Sequence, residues 1–468
     1  MNFNTRNIRI GAGAGFSGDR IEPAVELVEH GKIDYLVFEC LAERTIAMAQ
    51  QVKLADPASG FDPLLIERIR AVLPACQQKG IRIITNMGAA NPMSAGMKIQ
   101  EVARSLGLNN LKIAVVLGDD VLNTLIAENS FVEELGVSVP ALGTRLISAN
   151  AYLGASPIVE ALDGGADVVI SGRVADAALF LAPMIHEFGW AMTDYQLLGK
   201  GTVIGHLLEC AGQITGGYFA DPGVKEDVFG LVRLGFPIAE VREDGSAIIT
   251  KVEGSGGTVT VATCIEQLLY EIHDPAHYLT PDVVADLTSV TIREIGKDRI
   301  LIEGGDGRPR PDCLKVSIGY LDGFIGEGQI TYAGPGAVKR GQLAIEIVQQ
   351  RLKLTGIEPL ELRCELIGVN SIHCTRTVED SDPYEVRVRV VGRTETMHQA
   401  ACIGNEVESL YTNGPAAGGG VTKSARQILA VASVLLSRTL VTPEVRFLEV
   451  PCVASSKSGT TQGVYEKA

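Results

Sequence analysis

The chain lacks the features that would cross-link it or place it in a membrane. Nine cysteines are scattered through 468 residues without a C-x-x-C pair, so neither a disulfide framework nor a zinc or iron–sulfur signature is indicated. No apolar run approaches the ~18 residues of a membrane helix, and the N-terminus has no basic segment followed by an apolar core. We therefore expect a cytoplasmic protein.

Basic residues are in the minority, and several catalytic signatures are missing. The formal net charge is −15, and no cluster of Lys and Arg alternates with aromatic residues. This balance repels a polyphosphate backbone, so neither nucleic acid nor a membrane is expected as a partner. The motifs H-E-x-x-H and G-x-S-x-G are also absent, which argues against a zinc protease and a serine hydrolase.

A repeated strand–helix alternation fills the first half of the chain. It predicts an α/β domain over 1–232, a mostly parallel sheet with helices on both faces, built either as an open doubly wound sheet or as an incomplete barrel. The following β-rich region predicts a C-terminal α+β domain over 233–452, with a last helix at 424–437, and a disordered tail at 453–468. The six predicted strands of the first domain are 8–12, 34–39, 81–86, 112–117, 145–150 and 166–171.

The turn after the first strand has the spacing of a dinucleotide-binding loop. Glu39 follows about 20 residues later, where such folds place an acid for the ribose hydroxyls. Pro23 argues against this interpretation, because proline is tolerated only in the first turn of a helix. The helix should then begin at 19–22, with Asp19 as its cap, and an NAD(P)-dependent oxidoreductase stays an alternative. The G-x-G-x-x-G spacing is met by Gly13, Gly15 and Gly18.

Two strand-end loops contain an aspartate and an arginine. Ser171, Arg173 and Asp176 follow the strand at 166–171, and Asp19 and Arg20 follow the first strand. Because the carboxyl ends of parallel strands share one edge, all these loops should meet there. An arginine fork beside helix-terminal amides is suited to a carboxylate or phosphate. The alternative is that Arg173 only pairs with Asp176.

A helix that ends in a glycine-rich turn carries the best candidates for proton transfer. His206 and Glu209 are three residues apart and share one helical face, so they could act as an acid–base pair or as metal ligands. They could equally be hydrogen-bonded locally. The turn that follows could position a substrate through Thr215, Gly216 and Gly217.

Amide side chains and glycine loops complete the candidate site. Each predicted residue could bind a substrate through neutral hydrogen bonds or serve only as a turn residue. The acid pair Asp119 and Asp120 could hold a divalent metal, although an N-cap has the same pattern. No organic cofactor is predicted. The candidate residues are Asn86, Asn91, Asn150, Gly334, Gly336 and Asn413.

Several stretches together resemble one protein family. They are RIGAGAGFSGDR at 9–20, SGRVADAALFLAP at 171–183, ECAGQITGGYFADP at 209–222, the GPG loop at 334–336 and the turn at 413–420. The chain resembles the acyclic terpene utilisation (AtuA-type) core family. This resemblance implies carboxylate catabolism of the citronellol and geraniol type, but it supplies no assigned catalytic residues.

Some members of that family carry, or are encoded beside, a small ferredoxin-like domain. Because the chain ends soon after 450, a separate ferredoxin-like partner subunit is expected. The favoured function is a lyase, hydratase or isomerase step on a small carboxylate or acyl compound, with Glu209, alone or with His206, moving the proton and with Arg173, Arg20 and loop amides binding the anion. A non-catalytic or co-catalytic subunit is the alternative. A homo-oligomer is expected as for most large metabolic enzymes.

Overall fold

The computed structural model describes residues 7–373 and 383–451 of the chain. The tail predicted at 453–468 lies outside these ranges. No helix within them combines the length and the apolar character needed to cross a membrane.

The parallel core of the fold is built from strands that the sequence pattern predicts. Five of them lie side by side in the order β1-β2-β3-β8-β4, and all four neighbouring pairs are parallel. All four residues of β2 and of β8 are buried, as expected for a sheet covered on both faces. The strands of this region are β1 (Asn7–Ala14), β2 (Tyr35–Phe38), β3 (Arg82–Thr85), β4 (Leu111–Leu117), β5 (Phe131–Val132), β6 (Val137–Ser138), β7 (Leu146–Ala151) and β8 (Val168–Ser171).

Helices connect these strands. The first begins at Glu22 with Pro23 in its first turn, which confirms the start inferred from the proline. Its N-cap is Ile21 rather than Asp19. The helices are α1 (Glu22–His30), α2 (Glu43–Ala55), α3 (Leu65–Lys79), α4 (Pro92–Ser105), α5 (Leu122–Ala127), α6 (Ser156–Asp163), α7 (Asp176–Phe188) and α8 (Tyr195–Glu209).

The β-rich region after 232 extends the same sheet. A hairpin turns at Asp244 and Gly245 and pairs antiparallel with β1, so the predicted domain boundary at 232 falls within one sheet. The ten-stranded sheet is open, with the order β13-β14-β10-β9-β1-β2-β3-β8-β4-β20, which matches the open alternative rather than a barrel. The additional elements are β9 (Pro237–Arg242), β10 (Ala247–Lys251), α9 (Val261–Leu269), β11 (Tyr278–Leu279), β12 (Val284–Asp286), β13 (Thr291–Gly296), β14 (Arg299–Glu303), β15 (Asp306–Arg308) and β20 (Glu444–Val450).

One predicted strand of the first domain does not join the sheet. β7 pairs instead with a later strand, β16 (Cys313–Ala333). Its end still reaches the carboxyl edge of the parallel core, because the amide of Ala151 donates to the carbonyl of Asp119 over 2.7 Å and the amide of Leu153 donates to that of Arg173 over 3.2 Å. The loop after β7 therefore contributes to the same edge as the loops after β4 and β8.

The remaining strands and helices form a second sheet with its own core. The chain order is β-α-β-β-α-β and the sheet order is β17-β18-β16-β19, with β18 antiparallel to both of its neighbours. This is a ferredoxin-like arrangement. The chain thus contains such a unit itself, which its length did not suggest. The elements other than β16 are α10 (Ala337–Leu354), β17 (Glu361–Ile367), β18 (Glu385–Thr394), α11 (Met397–Asn413) and β19 (Gly419–Ser437).

The prediction of a helix at 424–437 is wrong, because this segment lies in β19. Burial alternates along it: Ala432, Val434 and Leu436 are buried, whereas Leu435 is 73% exposed. That period of two belongs to a strand. The turn at 414–420 consequently precedes a strand and not the N-terminus of a helix.

By internal contacts, the chain forms two compact units whose boundaries fall within β16 and β19. The ferredoxin-like elements constitute most of the smaller unit, and the ten-stranded sheet belongs to the larger one. Among the described residues, the larger unit comprises 7–143, 147–318 and 431–451, and the smaller unit comprises 144–146, 319–373 and 383–430.

Candidate functional site

A pocket of about 720 Å³ lies in the larger unit beside the strand-end loops. Tyr152 and Asp176, from the loops after β7 and β8, form part of its wall together with Lys315. The rest of the wall is largely apolar, with two acids, Glu133 and Glu134. A pocket with apolar walls and a few convergent polar groups is typical of a small-molecule site. Its apolar side chains include Leu279, Pro281, Pro311, Leu314, Val434 and Leu435.

Arg173 is the most unusual residue beside this pocket. It is 1% exposed, and its backbone amide donates to Asp119 Oδ2 over 2.9 Å. Its Nη2 pairs with Asp176, whereas its Nε and Nη1 are buried without a hydrogen-bond partner in the described structure. Buried donors are seldom left unpaired. The guanidinium therefore has donors available for an oxygen that the chain itself does not provide.

Asp176 stands between this arginine and the pocket. Its side chain is 38% exposed. Burial of the carboxyl, opposed by Arg173 and assisted by the charges of Glu209 and Glu43, raises the pKa of Asp176 to about 7. Asp176 can thus hold or release a proton near neutrality, as a general acid must. The expected pairing of Arg173 with Asp176 is present through Nη2, and it leaves Nε and Nη1 without hydrogen-bond partners among the described residues.

Two cations lie close to the aromatic ring of Tyr152. The guanidinium carbon of Arg173 lies 4.2 Å from the ring centre and Lys315 Nζ 5.0 Å from it. Its hydroxyl donates to Glu43, which also accepts from Lys315 Nζ over 3.0 Å. Although burial opposes ionisation, these hydrogen bonds lower the pKa of Glu43 to about 2. Glu43 is therefore a stable anion at neutral pH.

Sequence reasoning did not select Glu43, Lys315 or Tyr278 for this site. Glu43 opens α2 just after the loop that follows β2, so its position at a strand end was a signal that could have been used. Tyr278 and Lys315 lie on β11 and β16, which follow the parallel core in the chain. No spacing in the sequence connects them with the loops.

His206 and Glu209 form a buried pair at the end of α8. His206 Nδ1 lies 2.8 Å from Glu209 Oε1, and His206 Nε2 lies 3.2 Å from the carbonyl of Leu268. Because both ring nitrogens face acceptors, the imidazole is suited to carry two protons. Burial opposes that charge, but Glu209 raises the pKa of His206 above its ordinary value. Glu209 Oε2 is buried and has no hydrogen-bond partner among the described residues, so it is the oxygen that remains available for proton transfer.

Glu209 lies close enough to the pocket to influence its ionisable groups. The charge of Glu209 raises the pKa of Asp176. Burial, followed by the charges of Glu209 and Asp176, raises the pKa of the Tyr278 hydroxyl. The ring of Tyr278 lies 5.5 Å from that of His206 and forms part of the pocket wall. Tyr278 thus belongs to the pocket wall and also neighbours the imidazole of His206.

The carboxylate of Glu39 accepts hydrogen bonds from its own chain, unlike an acid that binds ribose hydroxyls. Its Oε1 accepts from the amide of Leu41 over 2.9 Å and from Asn86 Nδ2 over 2.8 Å, while Asn86 Oδ1 accepts from the amide of Cys40 over 2.7 Å. Burial and the charge of Asp176 raise the pKa of Glu39 well above its usual range. Both polar atoms of the Asn86 side chain, Oδ1 and Nδ2, thereby have hydrogen-bond partners within the chain.

The glycine-rich loop after β1 is filled by protein groups. Arg68, which is fully buried, donates from Nη2 to the carbonyls of Ser17 and Asp19 over 2.9 Å each. Asp19 accepts from the amide of Gly15 over 3.0 Å. A Cβ on Gly15 would lie 2.5 Å from the backbone of Cys210. This loop does not fit a dinucleotide, because its carbonyls accept hydrogen bonds from Arg68 and helix α1 begins only at residue 22.

Arg20 is not brought to the site of Arg173. Its Nη1 donates to the carbonyl of Leu231 over 2.9 Å, and it lines a separate groove with Glu22, Glu26 and Val232. The predicted cooperation of the two arginines in binding one anion is therefore not supported by their positions. The cation in the wall of the pocket beside Arg173 is Lys315.

Other predicted residues have structural partners. Asn91 caps α4 and donates to the carbonyls of residues 57 and 59, and Thr215 donates to the carbonyl of Gly235 over 2.7 Å. Ser171 donates to the carbonyl of Thr85 over 3.3 Å. Three predicted residues lie in the smaller unit. They are Gly334 and Gly336, on either side of Pro335, and Asn413, at the end of α11.

Asp119 and Asn150 are hydrogen-bonded to each other, and Asp119 also accepts from the backbone of Arg173. Asp119 Oδ2 accepts both the amide of Arg173 and Asn150 Nδ2, the latter over 2.9 Å. Burial raises the pKa of Asp119 to about 6. Within residues 7–373 and 383–451, no group of three or more His, Cys, Asp or Glu side chains is arranged to hold a metal ion. Gly216 and Gly217 pack against Val228 and Gly212 in the turn after α8.

Comparison with known proteins gives one finding. Residues 8–447 match the model of the acyclic terpene utilisation family protein AtuA, which is nearly the entire chain. Searches of curated proteins and of solved structures returned no match.

Proposed function

Because the chain belongs to the acyclic terpene utilisation family, we propose that it is a catabolic enzyme for a small carboxylate or acyl compound. The reaction is a lyase, hydratase or isomerase step that depends on proton transfer. The observation that supports this most directly is the buried Arg173, with Nε and Nη1 unpartnered beside a pocket whose walls are mostly apolar.

Arg173 binds the carboxylate or acyl oxygen of the substrate in this proposal. Charge-assisted hydrogen bonds from a guanidinium to an oxyanion are about twice as strong as neutral ones. They would also stabilise the negative charge that develops on that oxygen when a proton leaves the neighbouring carbon. The stacking of Arg173 on Tyr152 fixes the guanidinium in place before the substrate arrives.

Asp176 and Glu209 carry out the proton transfers. Asp176, with its raised pKa, holds a proton that it can donate near neutral pH. Glu209 presents Oε2 as the proton acceptor, and His206 orients it through Oε1. Two carboxyl groups whose surroundings differ in this way are the usual basis for assigning an acid and a base.

Deuterium incorporation tests this function whatever the final product of the reaction is. The protein is incubated in deuterated water with octanoate, 2-octenoate and their thioesters, and each compound is then analysed by mass spectrometry. We expect deuterium next to the carboxylate or acyl carbon in at least one of them. Glu209→Gln should abolish the exchange while the protein stays folded, which its melting curve checks. The exposed Glu226→Gln is the control. Absence of exchange throughout, or full exchange in Glu209→Gln, would contradict the proposal.

A further inference from the structure

Arg173 already has one anion from its own chain. Asp176 Oδ1 pairs with Nη2 of the guanidinium. The arginine is 1% exposed, whereas the Asp176 side chain is 38% exposed and forms part of the pocket wall. A substrate carboxylate that reaches the free nitrogens of Arg173 must therefore lie next to the carboxyl group of Asp176.

The groups around Asp176 make a second negative charge unfavourable. The charges of Glu209 on α8, Glu43 on α2 and Glu39 after β2 all interact with Asp176, as does Tyr278 on β11. Nearby cations are Arg173, Lys315, whose Nζ pairs with Glu43, and His206, whose ring pairs with Glu209. With Glu43 and Glu209 thus paired, one positive charge remains for Asp176 and the substrate together. Two like charges sharing one cation at close range cannot both remain ionised without a large cost.

We propose that Asp176 is a resident counter-ion that takes up one proton when a substrate carboxylate binds Arg173. The site then accepts a monoanion together with a proton. The proton comes from solvent and binds a carboxylate oxygen of Asp176, and no other bond changes. This inference rests on the proposed function, because it assigns the same pocket to an anionic substrate.

Proton uptake makes binding dependent on pH in a defined direction. Asp176 has a pKa of about 7 in the free protein. Below that pH the proton is already present and the affinity should be flat. Above it the affinity should fall by about tenfold per pH unit, because each binding event requires a proton.

Isothermal titration calorimetry with octanoate tests the proposal. Repeating the titration in buffers of different ionisation enthalpy gives the number of protons taken up. We expect close to one proton per octanoate at about pH 8 and few at about pH 5.5, as the linkage relation requires. Octanamide, a neutral molecule of the same shape, should bind without proton uptake at either pH.

Asp176→Asn gives the sharpest result. It mimics the protonated carboxyl, so octanoate should bind about tenfold more tightly than to the wild type at about pH 8, with no proton uptake. A residue with only a structural role would weaken binding when replaced. Asp176→Ser should also lose the proton uptake. Asp163→Asn, which alters an aspartate paired with His186, should leave both quantities unchanged.

Three results would overturn the proposal: octanoate binding without proton uptake at about pH 8, weaker octanoate binding by Asp176→Asn, or no octanoate binding by the wild type. The first two leave the proposed function intact, since it does not require proton-coupled binding. Conversely, proton-coupled octanoate binding without any deuterium exchange would contradict the proposed function and leave this inference standing.

Discussion

The guanidinium carbon of Arg173 lies 4.2 Å from the centre of the Tyr152 ring. This stacking, together with the pair formed with Asp176, holds the arginine while its Nε and Nη1 stay unpaired in the described structure. A cation held against an aromatic face keeps its in-plane donors free. The site can therefore be rigid and still have hydrogen bonds to offer.

Replacing Arg173 should damage both binding and stability. Arg173→Met leaves Asp176 without its cation. Because the Asp176 side chain is 38% exposed, the loss of stability should be smaller than the ~3–5 kcal/mol for breaking a fully buried pair. We expect octanoate affinity to fall at least tenfold. Arg173→Lys should keep the charge but lose the planar stacking. Its octanoate affinity should therefore lie between those of the wild type and Arg173→Met. Calorimetry and urea unfolding measure the two effects. Unchanged octanoate affinity in Arg173→Met would remove Arg173 from the site.

Tyr152 should act through its ring more than through its hydroxyl. Tyr152→Phe keeps the stacking on Arg173 and loses the hydrogen bond to Glu43, so octanoate affinity should change by less than about threefold. Tyr152→Leu loses the stacking, worth about 0.5–2 kcal/mol or more for a desolvated pair, and should bind octanoate more weakly than Tyr152→Phe. Equal loss in the two variants would show that the hydroxyl dominates.

Gly15 should be intolerant of even one methyl group. A Cβ there would lie 2.5 Å from the backbone carbonyl carbon of Cys210, so the end of α8 must shift. We expect Gly15→Ala to lose about 1–3 kcal/mol of unfolding free energy and to weaken octanoate binding through Glu209. Gly419→Ala is a matched control, because its Cβ would meet no atom within 4 Å. Thermal and urea denaturation measure the difference. Equal melting temperatures for the two variants would contradict the close approach.

Stability should increase as the pH falls from about 7.5 to 5, on account of buried aspartates whose pKa is raised. Burial raises the pKa of Asp282 to about 6, although both its carboxylate oxygens accept from the amide of Ala155 over 3.0 Å. A raised folded-state pKa gives stability that is fully present below the unfolded value and is lost as the pH rises through the folded one. For a shift of about two units the contribution is about 3 kcal/mol.

Asp282→Asn isolates this contribution. The amide cannot ionise, so the increase in unfolding free energy between about pH 7.5 and 5 should be smaller than in the wild type by about 1.4 kcal/mol, because pH 5 lies only about one unit below the folded-state pKa. Urea titrations at several pH values give the slope. Asp221→Asn, at an exposed position, serves as the control. The same slope in Asp282→Asn as in the wild type would contradict the assignment.

Periodicity and loop chemistry were enough to predict the parallel core. The helix start at Glu22 followed from Pro23 alone, and the loop holding Arg173 and Asp176 was correctly placed at a strand end. The pairing of β7 with β16 could not be predicted, because it joins residues more than 160 positions apart in the chain. Lys315 and Tyr278 reach the pocket through such distant pairings, so no local pattern could indicate them.

The errors have physical causes as well. In β19, an alanine- and leucine-rich stretch resembles a helix by intrinsic propensity, but the alternating burial of Val434 and Leu436 in the folded chain prevails. The glycine spacing near Gly15 resembles a nucleotide loop, although the space it provides is filled by Cys210 and Arg68. The spacing of glycines alone does not reveal whether a bound nucleotide or another part of the chain lies against the loop backbone.

The pairing of β20 with β4 has a consequence for synthesis of the protein. β4 (Leu111–Leu117) obtains its antiparallel neighbour only from Glu444–Val450. On the ribosome, one side of β4 thus stays without a hydrogen-bonding neighbour while more than 300 further residues are translated. The ferredoxin-like unit emerges complete before that. Nascent chains should therefore be prone to edge-to-edge association until the last strand is released.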